Sequence, residues 1–260
     1  GAKMFRNIIP LLLQWISNHD VKTNGSFYKT ILIILSTDET RSSEDLVLAT
    51  DLLIRLIESG HTPEDYKEGI QSMAECWDEI KSANNMDNVI ETIENLYHYS
   101  CADNTERTKF WEEIKQFSFK EWPKFSREQQ MLITELCNEI DGSCHFPEVV
   151  TEQEFENIDD VSNFEGKKLG IYTLMEGAGQ RAKNVLESLY PGMKVTLNND
   201  TTASKALVNL TKSADFFIFS SKNAVHKAFI PVSRLRDDII YPGGKGSSSI
   251  VRAFMQSANA

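Results

Sequence analysis

Apolar residues in the first half of the chain recur at the spacing of helices. From Met4 to about Ile140 they lie three or four positions apart, and no stretch alternates long enough to predict a sheet. Phe27 to Leu35 fits a strand or a buried helix by periodicity alone, and its helical neighbours favour a helix. Residues 1–140 are therefore predicted to form an irregular α-helical domain of about seven helices, with short connections and no internal repeat.

Two helix starts in this half carry clear signals. Ser43 precedes Glu44 and Asp45, whose charges suit the positive end of a helix, and this helix is predicted to stop at Gly60. Thr62 followed by Pro63 is typical of a helix start, with threonine as the N-cap and proline at the first helical position. The remaining helices of this half are predicted at residues 87–99, 105–117 and 126–140.

The pattern changes from Lys167 onward to strands and helices in alternation. Predicted strands cover residues 168–174, 194–197, 215–220 and 238–241, and predicted helices follow at 178–189, 201–211, 223–229 and after a loop at 243–249. This order predicts a parallel sheet, because parallel neighbours need crossover connections. The fold class is therefore mixed: an all-α helical bundle, then a small α/β domain at residues 166–260 with a four-stranded parallel Rossmann-like sheet.

Charge divides the chain in the same way. Residues 166–260 hold 13 Lys and Arg against 6 Asp and Glu, which leaves 14 basic and 32 acidic residues of the chain's 27 and 38 for the rest. Residues 141–165 form an acidic linker with little periodicity, apart from a short ordered piece predicted at Val149–Val150. The basic half suits either phosphate or the acidic half of the same protein as its partner.

Composition excludes several classes of protein. The longest apolar run, Ile31 to Leu35, is far shorter than the roughly 18 residues that a membrane span needs, so no membrane partner is predicted. Four cysteines in 260 residues do not suggest a disulfide framework, which favours the cytoplasm. No signal peptide is evident, and Gly1–Ala2 resembles a tag remnant, which suggests a fragment of a longer protein.

Small and polar residues follow each predicted strand, at the edge where ligands of open parallel sheets bind. Asn199 and Asp200 follow the second strand, and the other strands lead into stretches rich in glycine, serine and basic residues. The predicted binding residues are Glu176, Gly177, Gly179, Arg181, Ser220, Ser221, Lys222, His226, Gly244, Lys245, Gly246, Ser247, Ser248, Ser249 and Arg252.

The closing loop, Gly243 to Ser249, contains the residue types of a phosphate cradle between a strand and a helix. An ordinary turn with a serine as helix cap explains it equally well. Gly177 and Gly179 give only G-x-G, with Ala182 at the position of a third glycine, and no P-loop motif is present.

Other candidate chemistries have structural alternatives. His226 suits a general base or phosphate ligand, or a hydrogen bond to a nearby loop. Glu176 with Asp200 suits a magnesium ion, or two helix caps. Two N/S pairs, His98 with Cys101 and Cys144 with His145, match no standard zinc spacing even with Cys137 added, so no metal site is predicted.

Residues 168–254 resemble a family of small Rossmann-like bacterial domains of unknown function. The resemblance rests on the strand over residues 214–219, on Ser-x-x-x-x-His at 221–226, and on Tyr241 with Gly-x-Ser-Ser-x-x-Arg-Ala at 246–253. It implies a pocket around the serine, the histidine and the Gly-x-Ser-Ser loop, without a settled activity; the first turn, residues 176–179, departs from the family pattern. The third strand with Ser-Lys-Asn-Ala-Val is also similar to uroporphyrinogen synthase, over too few residues to imply a function.

Together these features predict a binding or regulatory module of a bacterial cytoplasmic protein. Its α/β domain is expected to bind a phosphate-bearing ligand, either a nucleotide or a nucleic-acid phosphate, and its acidic helical domain to dock a protein partner. A hydrolase or transferase that uses His226 and a purely structural assembly domain are the alternatives. The sequence does not show which cofactor, if any, the protein uses.

Overall fold

The structure is a computed structural model that describes residues 2–37, 42–147, 164–220 and 226–258. Side chains are described from Arg6 onward within these ranges, except that of His226. Most of the predicted acidic linker, including Val149–Val150, lies outside the described residues. The chain divides into two compact units, residues 1–121 and 122–260.

The first unit is helical throughout its described elements, as the apolar spacing predicts. It contains α1 (Ala2–Asn18), α2 (Gly25–Ser36), α3 (Ser43–Glu58), α4 (Pro63–Ile80), α5 (Met86–His98) and α6 (Thr105–Glu121). The ambiguous stretch from Phe27 to Leu35 lies within α2, which confirms the helical interpretation. None of the described helices is both long and apolar enough to cross a membrane.

Local hydrogen bonds fix where these helices begin. Asn24 caps α2, and capping boxes at Ser42 with Asp45 and at Thr62 with Asp65 start α3 and α4. The helices then bury their apolar faces against one another, with α2, α3 and α4 in mutual contact. The buried hydroxyls of Thr50 and Thr92 hydrogen-bond at 2.8 Å and join α3 to α5.

Asp65 is the most strongly held carboxylate of this unit. It accepts hydrogen bonds from the amide and hydroxyl of Thr62, at 3.1 and 2.8 Å, and pairs with Lys29 at 2.7 Å. These contacts, with Lys29 as the largest cause, lower the pKa of Asp65 to about 2. A carboxyl group with a lowered pKa stabilises the folded state above its unfolded pKa near 4, and this stabilisation is lost as the pH falls toward 2.

We therefore expect Asp65→Asn to lower the free energy of unfolding by about 1 kcal/mol at pH 7, because solvent screens part of the ion pair. The difference between wild type and variant is expected to shrink between pH 4 and pH 2. Urea unfolding of both proteins at pH 7 and pH 3 measures this difference. Asp78→Asn is the matched control, since Asp78 pairs with Lys81 on an exposed surface. An equal cost of Asp65→Asn at both pH values would contradict the charge-based interpretation.

The second unit contains one helix and an α/β sheet. Its elements are α7 (Arg127–Asp141), β1 (Lys168–Thr173), α8 (Glu176–Leu189), β2 (Lys194–Asn198), α9 (Lys205–Ser213), β3 (Phe216–Ser220), α10 (His226–Ser233), β4 (Ile239–Ile240) and α11 (Ser247–Ala258). The strands lie in the order β2-β1-β3-β4 and every pair is parallel. The predicted fold class, a helical region followed by a small α/β domain with a four-stranded parallel sheet, is confirmed.

Each face of the sheet packs against two of the connecting helices. Tyr172, Phe217 and Phe219 form a buried cluster with residues of α9 and α10. Alternate strand residues point to the opposite face, which packs against α8 and α11. There the ring of Phe254 from α11 contacts Phe216 of β3. Both α8 and α11 therefore lie on one side of the sheet.

The seventh helix groups with the α/β unit. It packs against α8 and α11, so the compact units divide between residues 121 and 122 rather than within residues 141–165. Two side-chain contacts fasten α7 to α8: an ion pair between Glu139 and Arg181, and a hydrogen bond of 2.7 Å from Asn184 to Glu135. The boundary between the units thus differs from the predicted one because a tertiary contact of α7 sets it, and helical periodicity does not encode tertiary contacts.

Several helix boundaries also differ from the predicted ones, among them those of α9 and α10. Helix α9 begins at Lys205 rather than Thr201, because the hydroxyl of Ser204 caps it by accepting from the Leu207 amide at 3.1 Å. Helix α10 continues beyond Phe229 to Ser233, although it contains Pro231.

Candidate functional site

The strand order creates a topological switch point between β1 and β3. From β1 the chain crosses to β2 on one side, and from β3 it crosses to β4 on the other. In open parallel sheets, ligands bind in the crevice that such a reversal opens beyond the carboxyl ends of the strands. We refer to this end of the sheet as the carboxyl edge, and β1 and β3 end there at Thr173 and Ser220.

Two buried hydroxyls lie side by side at the switch point. Thr173 and Ser220 are register partners, so their side chains point to the same face of the sheet. That face carries α8, because a Cβ added at Gly179 would lie 2.7 Å from the Thr173 methyl group. The Thr173 hydroxyl accepts from the Met175 amide at 3.1 Å. The Ser220 hydroxyl, in a residue only 3% exposed, has no hydrogen-bond partner among the described residues.

Helix α8 begins directly beyond β1. Its first intrahelical hydrogen bond runs from the Gly179 amide to the Met175 carbonyl at 2.9 Å, so the amides of residues 176–178 precede the helical ladder. No side chain from the N-cap, Met175, accepts a hydrogen bond there. The positive end of the α8 dipole therefore faces the carboxyl edge without a side-chain cap.

Helix α11 begins at the same edge, after β4. Its first intrahelical hydrogen bond joins the Ile250 amide to the Gly246 carbonyl at 3.2 Å, so Gly246 is its N-cap. Glycine has no side chain that could cap the helix. The first turn contains no acidic residue, and its three serines, Ser247, Ser248 and Ser249, are at most 2% exposed. Three hydroxyls and the positive end of a second helix dipole thus lie at this end of the sheet.

The loop before α11 is open where it leaves β4. A Cβ added at Gly243 would meet no atom within 4 Å, and the φ of Gly243 is not positive. Neither crowding nor backbone conformation therefore requires a glycine at this position. Gly244 and Gly246 are buried, and Lys245 between them is half-buried.

A second group of polar side chains follows β2. Asp200 accepts hydrogen bonds from Ser204 and, at 2.8 Å, from Asn198, and these contacts hold its pKa below the ordinary range, with Ser204 the larger cause. Glu176 accepts a hydrogen bond from Asn199, which ties the β2–α9 loop to the first residue of α8. Neither carboxylate caps a helix, since Ser204 caps α9.

The two arginines of the predicted site lie away from the helix starts. Arg181, one turn into α8, is 5% exposed and its guanidinium pairs with Glu139 of α7. Arg252 lies in the second turn of α11 on an exposed position. The structure thus brings Glu176, Gly177, Gly179, Ser220 and residues 244–249 to the carboxyl edge, and it places the two arginines on the flanks of α8 and α11.

Three predicted site residues are not described. Ser221 and Lys222 lie outside the described residues, as does the side chain of His226. The hydrolase or transferase alternative, which depends on His226, stays a prediction.

The metal candidates of the sequence are divided between the two compact units. His98 and Cys101 belong to the first unit, whereas Cys137, Cys144 and His145 belong to the second. Within residues 2–37, 42–147, 164–220 and 226–258, no group of three or more His, Cys, Asp or Glu side chains is placed to hold a metal ion.

Several residues of this edge were missed by sequence reasoning. Thr173 carries a readable signal, since it is a polar residue at the end of an apolar strand. Tyr172 has no such signal, because an aromatic residue in a strand normally indicates core. Glu139 was assigned to the helical domain, and only the packing of α7 on α8 shows that it contacts Arg181.

Comparison with known proteins identifies the family. The model of the DpdD-like family matches residues 1–253. The chain belongs to this family. The match includes both compact units, so the family is defined by the helical region and the α/β sheet together. Its description names no ligand and no reaction. Among curated proteins and solved structures, no significant match to the chain was found.

Proposed function

We propose that the α/β unit binds a phosphate-bearing ligand at the switch point of its sheet. The observation that carries this proposal is the unpartnered hydroxyl of Ser220, buried beside the start of α8 on the face that also carries α11. Ser220 and residues 244–249 hold the phosphate, and the amides that open α8 donate to its oxygens.

Two physical arguments favour an anion. The amides of residues 176–178 precede the helical ladder of α8 and can donate to a ligand, and two helix dipoles present partial positive charge to the same region. A buried hydroxyl without a partner costs about 1–3 kcal/mol, and a ligand oxygen that accepts from Ser220 removes this cost. Both effects favour a ligand with several acceptor oxygens, which describes a phosphate group.

The burial of the site residues favours a small ligand. Thr173, Ser220 and the three serines of α11 are each at least 97% buried, so a compact phosphate group of a nucleotide fits better than a continuous nucleic-acid strand. The basic balance of residues 166–260 supports an anionic ligand. The family name hints at an association with DNA modification, a context in which nucleotides and nucleic acids are both at hand.

A thermal-shift titration with inorganic phosphate, sulfate, nucleotides and short DNA and RNA tests the proposal. We expect phosphate and nucleotides to raise Tm, by an amount that grows with ligand concentration as linkage requires. Lys245→Ala and Ser248→Ala are expected to abolish most of this shift. Ser220→Ala is expected to reduce it while leaving the unliganded protein as stable as wild type or more so, since it removes an unpartnered hydroxyl.

Matched controls come from the opposite end of the sheet. Lys212→Ala and Ser213→Ala change exposed residues at the end of α9, and the phosphate-induced shift should persist in both. Absence of a shift with every anion, or an equal loss in the control variants, would overturn the proposed site.

A further inference from the structure

The last turns of α7 lie beside the first turns of α8. Glu135 accepts a hydrogen bond from Asn184 at 2.7 Å, and Glu139, one turn later in α7, pairs with Arg181, which lies earlier in α8. The two helices therefore run antiparallel at this contact. The carboxyl end of α7 thus adjoins the helix start at which the proposed anion site opens.

The ion pair between Glu139 and Arg181 reaches the first turn of α8. A Cβ added at Gly177, the second residue of this helix, would lie 3.2 Å from a guanidinium nitrogen of Arg181 and 3.4 Å from a carboxylate oxygen of Glu139. Arg181 itself lies one turn further along, and its side chain extends back toward the helix start, as helical side chains do. Both charges are therefore within about 5 Å of the Gly177 Cα, since a Cα–Cβ bond adds about 1.5 Å.

This position matters because the Gly177 amide is one of the donors at residues 176–178 that precede the helical ladder. While it is paired, Glu139 cancels much of the positive charge that Arg181 brings to this turn. Glu176, the other carboxylate of the turn, accepts a hydrogen bond from Asn199 of the β2–α9 loop. Glu139 is thus the carboxylate whose position determines how strongly Arg181 attracts an anion.

The two partners of the ion pair differ in burial. The side chain of Arg181 is 6% exposed, whereas that of Glu139 is 55% exposed. The carboxylate can turn into water with little loss of packing, while the guanidinium is enclosed by protein. The acidic partner is therefore the one that can leave.

We propose that Glu139 is a displaceable counter-ion of the anion site, which lowers its affinity for phosphate until the ligand displaces it. This inference rests on the anion site proposed above. A phosphate group at the amides of residues 176–178 brings negative charge toward the Glu139 carboxylate, which turns outward because like charges repel. The guanidinium of Arg181 stays in place, and its charge then stabilises the phosphate. Helix α7 thereby regulates how tightly the α/β unit holds its ligand.

Calorimetric titration with inorganic phosphate at low salt tests this role through a cycle of charge changes. Glu139→Gln should bind phosphate about fivefold tighter than wild type, the order expected for removal of one like charge within a Debye length, and added KCl should shrink the gain. Arg181→Gln should bind more weakly than wild type, because it leaves the carboxylate without its cation. The double variant should bind about as tightly as wild type, since the net charge of the pair is zero in both.

Glu135→Gln is the matched control. It removes the same charge from α7, one turn farther from the start of α8, and leaves the pair of Glu139 with Arg181 intact. It should change the affinity for phosphate far less. Glu139→Gln is also expected to lower Tm without ligand, because a buried guanidinium loses the Glu139 carboxylate, and phosphate should raise its Tm by more than that of wild type.

The outcomes separate the counter-ion role from the anion site. If wild type and Glu139→Gln bind phosphate equally, the counter-ion role is overturned and the anion site stands. An equal gain in Glu135→Gln would reduce the effect to net charge and overturn the role as well. If neither wild type nor any variant binds phosphate, the anion site fails and the counter-ion role falls with it.

Discussion

Replacing Phe254 with alanine is expected to lower the free energy of unfolding by about 4 kcal/mol, within the range for truncating a buried phenylalanine. Phe254 is fully buried on the face of the sheet that carries α8 and α11. Its ring contacts those of Phe164, Tyr190 and Phe216, with centroids 5.7, 5.4 and 5.5 Å away. Alanine leaves a cavity among three aromatic rings, one of which belongs to β3.

Urea unfolding followed by circular dichroism measures this effect. Phe254→Leu retains most of the volume and should cost clearly less than the alanine variant. Phe119→Ala is the control for loss of an aromatic side chain, because Phe119 is 61% exposed, and it should change stability by less than about 0.5 kcal/mol. A similar cost for Phe254→Ala and Phe119→Ala would show that the ring cluster is not a structural core.

Gly179→Ala is expected to destabilise the protein by about 2 kcal/mol, an overpacking effect, although alanine normally favours a helix over glycine. The added Cβ would lie 2.7 Å from the Thr173 methyl group. Thr173 cannot easily move, because it ends β1 and its hydroxyl accepts from the Met175 amide. The start of α8 must therefore shift away from the switch point, and phosphate binding should weaken with it.

A second substitution isolates the cause. Thr173→Ser removes the methyl group and retains the hydroxyl, so the double variant Gly179→Ala with Thr173→Ser should recover most of the lost stability. Gly177→Ala is the matched control, since its Cβ would meet the flexible end of Arg181 at 3.2 Å, and it should cost much less. If the double variant is no more stable than Gly179→Ala, contact with the threonine methyl group is not the cause.

Local signals predicted much of the fold. Acidic residues after Ser43 indicated the start of α3, and proline after Thr62 indicated the start of α4, because caps depend on residues a few positions apart. The strict alternation of strands and helices gave the parallel sheet, since crossover connections leave few other arrangements. The stretch from Phe27 to Leu35 shows the limit of periodicity. Its apolar pattern fits both a strand and a buried helix, and only the neighbouring helices favoured the helix.

The candidate site was predictable in outline only. The rule that ligands bind beyond parallel strands led to Ser220 and the loop at 244–249. Whether a hydroxyl is satisfied depends on side chains distant in sequence, so the unpartnered state of Ser220 and of Tyr172 has no sequence signature. Arg181 shows the same limit. Its basic charge suggested a contact with a ligand, whereas in the fold its guanidinium forms an ion pair with Glu139.

The packing of α7 on α8 determines where the chain can be divided. A fragment that starts at residue 166 has the entire parallel sheet, yet it separates the buried guanidinium of Arg181 from Glu139 and removes the helix that packs against α8. A fragment that starts at residue 122 retains both. For dissecting this protein by expression of its parts, the natural cut therefore lies before Trp122, at a position that the sequence pattern alone assigns to the helical domain at residues 1–140.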